Sequence, residues 1–446
     1  MNISPPLQAE NFFEPLTRAG FQVYLVGGAV RDLLRGVPPH DLDLCTDAPP
    51  EEMKRVFSGF RVLETGIAHG TLTVLSPDGA RAEITTMRAE GAYSDARHPD
   101  NVRFVHDIRK DLARRDFTVG AMALSPEGEL IDPFGGKRDL EDCLLRTVGD
   151  ARARFSEDAL RILRLLRFSS VLGFTMEKET LRAAEEEREK LRLVARERLF
   201  SEFCLLLCGA DAERVLSEGR KIVSVLVPAA AEGFDFDQKS VFHIYDVYTH
   251  ILKTVAAVEP TPKLRLAAFY HDLGKPRVCT LGEDGHRHFK GHHARSEEIA
   301  RESLTSFGAP RALTEDVCRL VRFHDTRFAA TEKAARRALA QHGEAGLMEL
   351  LSLQYADAEA HAPDVRERAC ADLDAFCACL EEVLRQNACV SLSTLAVGGE
   401  DLMALGVPPS PEMGKILEKL LCAVVDGEAE NTREALLERA RALLEK

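Results

Sequence analysis

Apolar residues change their spacing once along this chain, and the change divides it. Up to about residue 90 they fall in short β-rich runs punctuated by glycine: Phe21–Val26, ending at Gly27-Gly28; Asp41–Leu44; Gly70–Leu75; and Ala80–Thr86. Short alternating runs between turn signals predict strands, and Ala29–Leu34 predicts a short helix. Residues 91–111 are polar and broken by Gly, Asp and Pro, which predicts one long mobile loop. Beyond about residue 140 the strand signal ends and helical spacing takes over, interrupted at Gly149, near Gly209 and over 227–235. The expected fold is an α/β head with a small mixed sheet, followed by an all-helical remainder. A chain of 446 residues holds two to four domains. The expected divisions are 1–145 (head), 146–235 (helical neck), 236–365 (histidine-rich helical body) and 366–446 (helical tail).

With 58 basic and 72 acidic residues the net charge is −14, which argues against a general nucleic-acid coat but leaves room for a local basic groove. No stretch approaches the length of uncharged apolar chain that spans a bilayer. The first residues lack a basic segment followed by an apolar run, so no signal peptide is expected and the cytoplasm is the expected compartment. Eleven scattered cysteines without a CxxC fit a reducing environment and are given no function.

Asp41 and Asp43 alternate along a predicted strand, so their side chains share a face. Such a pair can hold hard divalent cations such as Mg²⁺, although a solvated strand edge explains it more often when it stands alone. Its context narrows the choice. Gly27-Gly28, between strand and helix, lets backbone N–H groups approach a triphosphate. Arg31, one turn on, is a candidate phosphate clasp, and Glu83 on a later strand is a candidate third carboxylate. Metal ions held there activate an attacking hydroxyl and neutralise leaving pyrophosphate.

Leu25-Val-Gly-Gly-Ala-Val-Arg-Asp-Leu-Leu34 followed by Asp41-Leu-Asp-Leu44 resembles the head signature of class II tRNA nucleotidyltransferases. These are the bacterial CCA-adding enzymes and their poly(A) polymerase relatives, with a DNA polymerase β-like head. The resemblance continues through Tyr93-Ser-Asp95, Arg114-Arg-Asp-Phe-Thr118, Asp132-Pro-Phe-Gly-Gly136 and Arg154–Arg161, covering about residues 20–170. One position departs from it: Gly120 stands where the family usually has Asn, removing a side-chain hydrogen bond.

Residues 157–168 predict one amphipathic helix, with Ala159, Ile162, Leu163 and Leu166 on one face and Asp158, Arg161 and Arg164 broadly opposite. Asp158 and Arg161 suit base reading. A carboxylate accepts the exocyclic amino hydrogen of cytosine or adenine while a guanidinium donates to the ring nitrogen; guanine and uracil leave both unpaired. The resemblance implies that this pair is the protein template, and that Arg164, Arg167 and Arg115 contact nucleotide. From Arg146 to Phe168, six arginines against three acids make a local +3, and Arg192, Arg196 and Arg198 add a second basic stretch. The expected partner is the tRNA acceptor stem, held by its backbone.

In the body, His271-Asp272 has His250 before it and His292, His324 and Asp357 after it. Histidines on separate helices with an adjacent His-Asp can bind one or two divalent ions, Mg²⁺ or a transition metal. Together they resemble the HD phosphohydrolases over roughly residues 240–360. His286, His288 and His293 are expected on a Gly-rich surface loop.

The resulting expectation is template-independent addition of CCA to tRNA from CTP and ATP, with Mg²⁺ on Asp41 and Asp43 and no DNA or membrane partner. Residues 87–111 are the expected specificity-switching loop. Rival readings are a poly(A) polymerase or A-adding enzyme of the same family, an HD hydrolase with a degenerate head, and a non-catalytic RNA-binding protein.

Overall fold

The computed structural model describes residues 3–39, 41–67, 70–90, 102–240, 242–283, 285–386 and 389–444. The chain forms two compact units: Met1–Ala231 with Ser306–Gly308, and Glu232–Thr305 with Ala309–Lys446.

The first unit opens with the head. Its strands are β1 (Val23–Val26), β2 (Leu42–Thr46), β3 (Arg61–Gly66), β4 (Thr71–Leu75), β5 (Arg81–Thr86), β6 (Arg88–Glu90), β7 (Val102–Phe104), β8 (Ala123–Leu124) and β9 (Leu130–Ile131). Seven of them make a mixed sheet in the order β3-β4-β5-β2-β1-β8-β9, in which only β2 and β5 run parallel. In that parallel pair Asp43 is level with Glu83. Along β5, Ala82, Ile84 and Thr86 are buried while Arg81 and Glu83 are exposed, as alternation demands. One core of the head joins Val26, Cys45 and Met87 to Ile108 and Leu112 of the helix Ile108–Ala113 and to Ala121, Ala123 and Val148. Each fully buried aliphatic side chain there contributes about 1.5–3 kcal/mol.

The expected strands are all present, each starting later than expected, and β2 runs two residues further, to Thr46; Asp41 lies one residue before β2. The expected loop over 91–111 is corrected at its far end. Residues 102–104 form β7, which pairs antiparallel with β6, and Asp107 caps the helix Ile108–Ala113 through its side chain. Tyr93, Ser94 and Asp95 lie outside the described residues. The strand signal also persists past residue 140, in short pairs at Leu144–Leu145 with Thr175–Met176 and at Thr280–Leu281 with Arg287–His288.

The single helix expected over 157–168 is two. One runs Ala151–Glu157, the chain turns extended at Asp158 (φ −141°, ψ 105°), and the next runs Leu160–Leu172. The cause is Asp158 itself: its Oδ1 accepts from Leu160 N at 3.0 Å and its carbonyl from Arg161 N, so it starts a helix rather than continuing one.

The second unit is helical. Val247–Ala257, Pro262–Tyr270, His292–Phe307, Arg311–Phe323 and Glu344–Glu359 carry or adjoin the histidines. Helix Pro363–Arg385 runs through the expected 365/366 division, and its Phe376, Leu380 and Val383 share a core with Ala335, Leu339 and Leu347. No helix among the described residues is long and apolar enough to cross a membrane.

Candidate active site and candidate metal centre

Gly27 ends β1 at φ +68°, and the helix Gly28–Leu34 starts from it. A Cβ at Gly27 would stand 2.8 Å from Arg115 Nη1 and 3.9 Å from Asp43 Oδ2. Glycine therefore serves twice here, for the left-handed backbone and for the close approach to a charged pair. Burial pushes the Asp43 carboxyl above its ordinary pKa; Arg115 opposes this, while Glu83 and Asp41 add to it. Glu83 is exposed and pairs with Arg81 at 3.1 Å. Asp41, Asp43 and Glu83 do not gather into one cluster of donors within 4.8 Å among the described residues. A hard divalent cation suits this all-carboxylate set.

Arg115 is held by Asp111 (Nη2 to Oδ2, 3.3 Å) and donates to the carbonyl of Gly120 at 3.4 Å. Asp111 is fully buried and also takes Arg114 at 2.8 Å and the amide of Arg88 at 3.2 Å. The departure at Gly120 thus spares the main-chain contact to Arg115. A Cβ there would find only Asp116 Oδ1, at 3.9 Å, within reach.

Arg31 binds its neighbour Asp32 through two bonds of 2.9 and 3.0 Å. Its guanidinium also lies 5.9 Å from the ring centroid of Phe168, with Arg164 at 5.3 Å and Arg167 at 3.6 Å from the same ring. Three arginines expected at the nucleotide therefore meet on one aromatic side chain.

Asp158 and Arg161 are not bonded to each other. Asp158 Oδ2 takes Arg198 Nη2 at 3.3 Å. Arg161 is buried rather than on a solvated face; it binds Glu157 at 2.6 Å and the carbonyls of Arg154 and Arg114. Arg164 pairs with Asp116 at 2.6 Å and reaches Glu202 at 3.6 Å, and Arg167 pairs with Glu202 at 2.9 Å. The expected nucleotide-selecting side chains are thus pinned by Asp111, Asp116, Glu157, Arg198 and Glu202, of which sequence reasoning counted Glu157 and Arg198 only as charges and did not name the other three. Arg198 and Glu202 carried a visible signal, since they sit one turn apart on the helix Arg196–Leu207.

In the second unit the six expected ligands converge. His250, His271, Asp272 and Asp357 have donor atoms within 4.8 Å of one another, as do Asp272, His292 and His324. Asp272 joins the two groups: its Oδ2 lies 3.3 Å from both His250 and His271 Nε2, and its Oδ1 lies 3.4 Å from His292 and 3.7 Å from His324 Nε2. Each histidine turns Nδ1 to a backbone carbonyl: His250 to Ala360 (3.3 Å), His271 to Ala268 (2.7 Å), His292 to Phe289 (2.9 Å) and His324 to Val321 (2.8 Å). That fixes the tautomer and leaves all four Nε2 lone pairs facing inward. His250 and His271 Nε2 are 3.3 Å apart, and His292 and His324 Nε2 are 3.2 Å apart. Facing nitrogens at this spacing hold a proton or a metal ion between them, and with Asp272 and Asp357 beside them the donor set fits metal. Gly274 lets the His-Asp turn press onto the His292–Phe307 helix, because a Cβ there would meet Ser296 N at 2.6 Å.

Burial disfavours a charged His271, but the charge of Asp272 and bonds to Asp272 and Asp357 outweigh it and push its pKa up to about 10. Burial would raise Asp272, yet Lys275 and His271 hold it well below the carboxylate range. His292 is pushed down to about 4 by burial. His293 is corrected from the expected loop to the helix His292–Phe307, where it forms a third group of close donors with His292 and Asp325.

A small mixed sheet presenting carboxylates beside a glycine turn, joined to an arginine-lined helix start, defines a nucleotidyltransferase. The family model for the poly A polymerase head domain matches residues 23–146, and that for tRNA nucleotidyltransferase domain 2 matches residues 292–440. A CCA-adding enzyme from Lactobacillus delbrueckii subsp. bulgaricus is 33% identical over 97% of this chain and 96% of its own. One from Leuconostoc citreum is 47% identical, over 47% of this chain and 52% of its own. The crystal structure of the Bacillus stearothermophilus CCA-adding enzyme in complex with CTP superposes with a TM-score of 0.71 at 28% identity, covering 99% of each chain. The chain belongs to the class II CCA-adding enzyme family.

Proposed function

We propose that this chain adds C, C and A to tRNA 3′ ends from CTP and ATP, with Asp41 and Asp43 holding Mg²⁺ in the head. The observation that carries the reading is the carboxylate group itself. Asp43 is raised by burial and level with Glu83, against a glycine that admits nothing larger. Bound Mg²⁺ supplies an acidified tRNA 3′-hydroxyl and charge neutralisation for the departing pyrophosphate.

The chain's own residues do the rest. Arg115, fixed by Asp111 and Gly120, directs positive charge at the Asp43 end of the site. Asp158 and Arg161 select cytosine and adenine over guanine and uracil by the pairing of amino and ring nitrogen. Both already have charged partners, Arg198 and Glu157, so base entry competes with these ion pairs. The neck's arginines hold the acceptor stem by its phosphates.

The cluster on His250, His271, Asp272, His292, His324 and Asp357 is read as an HD-type centre for one or two divalent ions, Mg²⁺ or a transition metal. Such ions supply an acidified water for hydrolysis of a phosphate ester. The proposed compartment is the cytoplasm, in keeping with eleven unpaired cysteines.

The test is primer extension with Mg²⁺, CTP and ATP on two tRNAs, one ending at the discriminator base and one ending in CC. Three residues added to the first and one to the second is the expected result. Extension of only the CC-ended tRNA would mean an A-adding enzyme, long A tails a poly(A) polymerase, and no extension would leave the HD-type centre as the active site.

A further inference from the structure

His243 stands beside the six ligands without being one of them. Its ring centroid is 5.0 Å from that of His250 and 4.5 Å from that of His361. Lys275 Nζ lies 3.3 Å from its Nε2. The other neighbours of that ammonium are oxygens, Gln238 Oε1 at 3.1 Å and Asp272 Oδ2 at 2.6 Å. An ammonium has only donors to offer. His243 Nε2 must therefore accept, and the ring proton sits on Nδ1. That Nδ1 is buried and has no hydrogen-bond partner among the described residues. A buried N–H left without an acceptor is rare in a folded protein and calls for one.

The position of this donor says what the acceptor is. Asp357 is the most open ligand of the first group, with 21% of its side chain exposed, against 1% or less for His250, His271 and Asp272. His361 borders the same side, its Nδ1 bonded to the carbonyl of Asp357 at 2.7 Å. Phe242 and Ile244, on either side of His243 in sequence, are 51% and 58% exposed, so this segment reaches the surface. A ligand passing Asp357 and His361 toward the centre meets the His243 N–H, while the three donors of the Lys275 ammonium are taken by Asp272, Gln238 and His243 itself. An unpaired donor beside a cation centre suits an anionic oxygen.

We propose that His243, with its tautomer set by Lys275, is the hydrogen-bond donor that orients the phosphoryl group of a phosphate ester at the metal centre. The proposal rests on the reading of the cluster as a metal centre. His243 is a phosphate-binding residue and Lys275 a positioning residue; neither gives up a proton in binding.

The experiment uses the full chain purified with its metal. Metal content is measured by mass spectrometry, and affinity for inorganic phosphate by calorimetry, for wild type, His243→Asn and His243→Ala. The Asn amide nitrogen overlies the imidazole Nδ1 position, so it keeps the donor that Ala removes. Wild type and His243→Asn are expected to bind phosphate within about threefold of each other, and His243→Ala at least about tenfold more weakly, the worth of a hydrogen bond to a charged group. Metal content should be equal in all three. Equal phosphate affinity in His243→Ala and wild type would overturn the proposal, as would an equal loss in His243→Asn and His243→Ala. Metal lost from His243→Ala would make His243 a ligand and overturn it too. Wild type without metal would instead sink the metal-centre reading on which it stands.

Discussion

Asp43 is a carboxylate placed where charge is expensive. Because its folded pKa is raised, the unfolded chain gives up this proton at lower pH, and above that range the folded state bears the cost of the buried charge. Asp43→Asn should therefore raise the melting temperature at pH 7 in EDTA. It should also cut nucleotide addition by about 10³-fold, the several kcal/mol that ligated metal supplies. A lower melting temperature would contradict the burial argument. His271 has the opposite sign. A folded pKa of about 10 against an ordinary 6.5 means that its contribution is complete below about pH 6.5 and disappears as pH rises toward 10. Metal-stripped protein should lose thermal stability across that window relative to His271→Asn. Metal-loaded protein should gain from rising pH, because ligation needs the neutral ring. The candidate ligands His250, His271, Asp272, His292, His324 and Asp357 were legible in sequence as a pattern of types. His243 was not, because its meaning lies in one unpaired nitrogen.

The helix Arg196–Leu207 backs the residues proposed to select the base with two side chains one turn apart: Arg198 on Asp158, and Glu202 on Arg164 and Arg167. Arg198→Ala should free Asp158 and raise UTP incorporation relative to CTP by about tenfold, within the range for a hydrogen bond to a charged group. Single-turnover incorporation of each nucleotide measures it, and an unchanged ratio would remove this helix from base choice. At this scale the sequence was half legible. β1, β2, β4 and β5 are bounded by Gly, Pro and Asp, so their existence was readable. β7 is three residues long and its partner β6 lies across a polar stretch broken by Gly, Asp and Pro, so local alternation had too little to show. The break at Asp158 lacks both Gly and Pro. Only the habit of Asp to cap the apolar run that follows it marked the place. The pairings of Asp158 with Arg198 and Arg167 with Glu202 join residues 40 and 35 positions apart, a distance that helical spacing does not register.

For the whole chain, the proposed function assigns separate chemistry to the two units. An Asp41→Ala/Asp43→Ala double variant should lose nucleotide addition while keeping the metal content of the second unit and any hydrolysis of phosphate esters; loss of both together would refute the separation. The acidic body and the locally +3 neck make a second expectation. The affinity for tRNA should fall steeply with salt, with a log–log slope of roughly 0.7–0.9 per phosphate contacted, whereas a salt-independent affinity would exclude a phosphate-held acceptor stem.

Asp158 has two duties, since the carboxylate proposed to judge the base also fastens the first turn of Leu160–Leu172. A variant with a new preference must still supply an oxygen there, and Asn, Ser and Thr are the side chains that can. Of these only Asn offers both a donor and an acceptor of comparable reach. The alphabet this architecture can be retrained to recognise is therefore limited by the grammar of helix initiation as much as by the shape of the incoming letter.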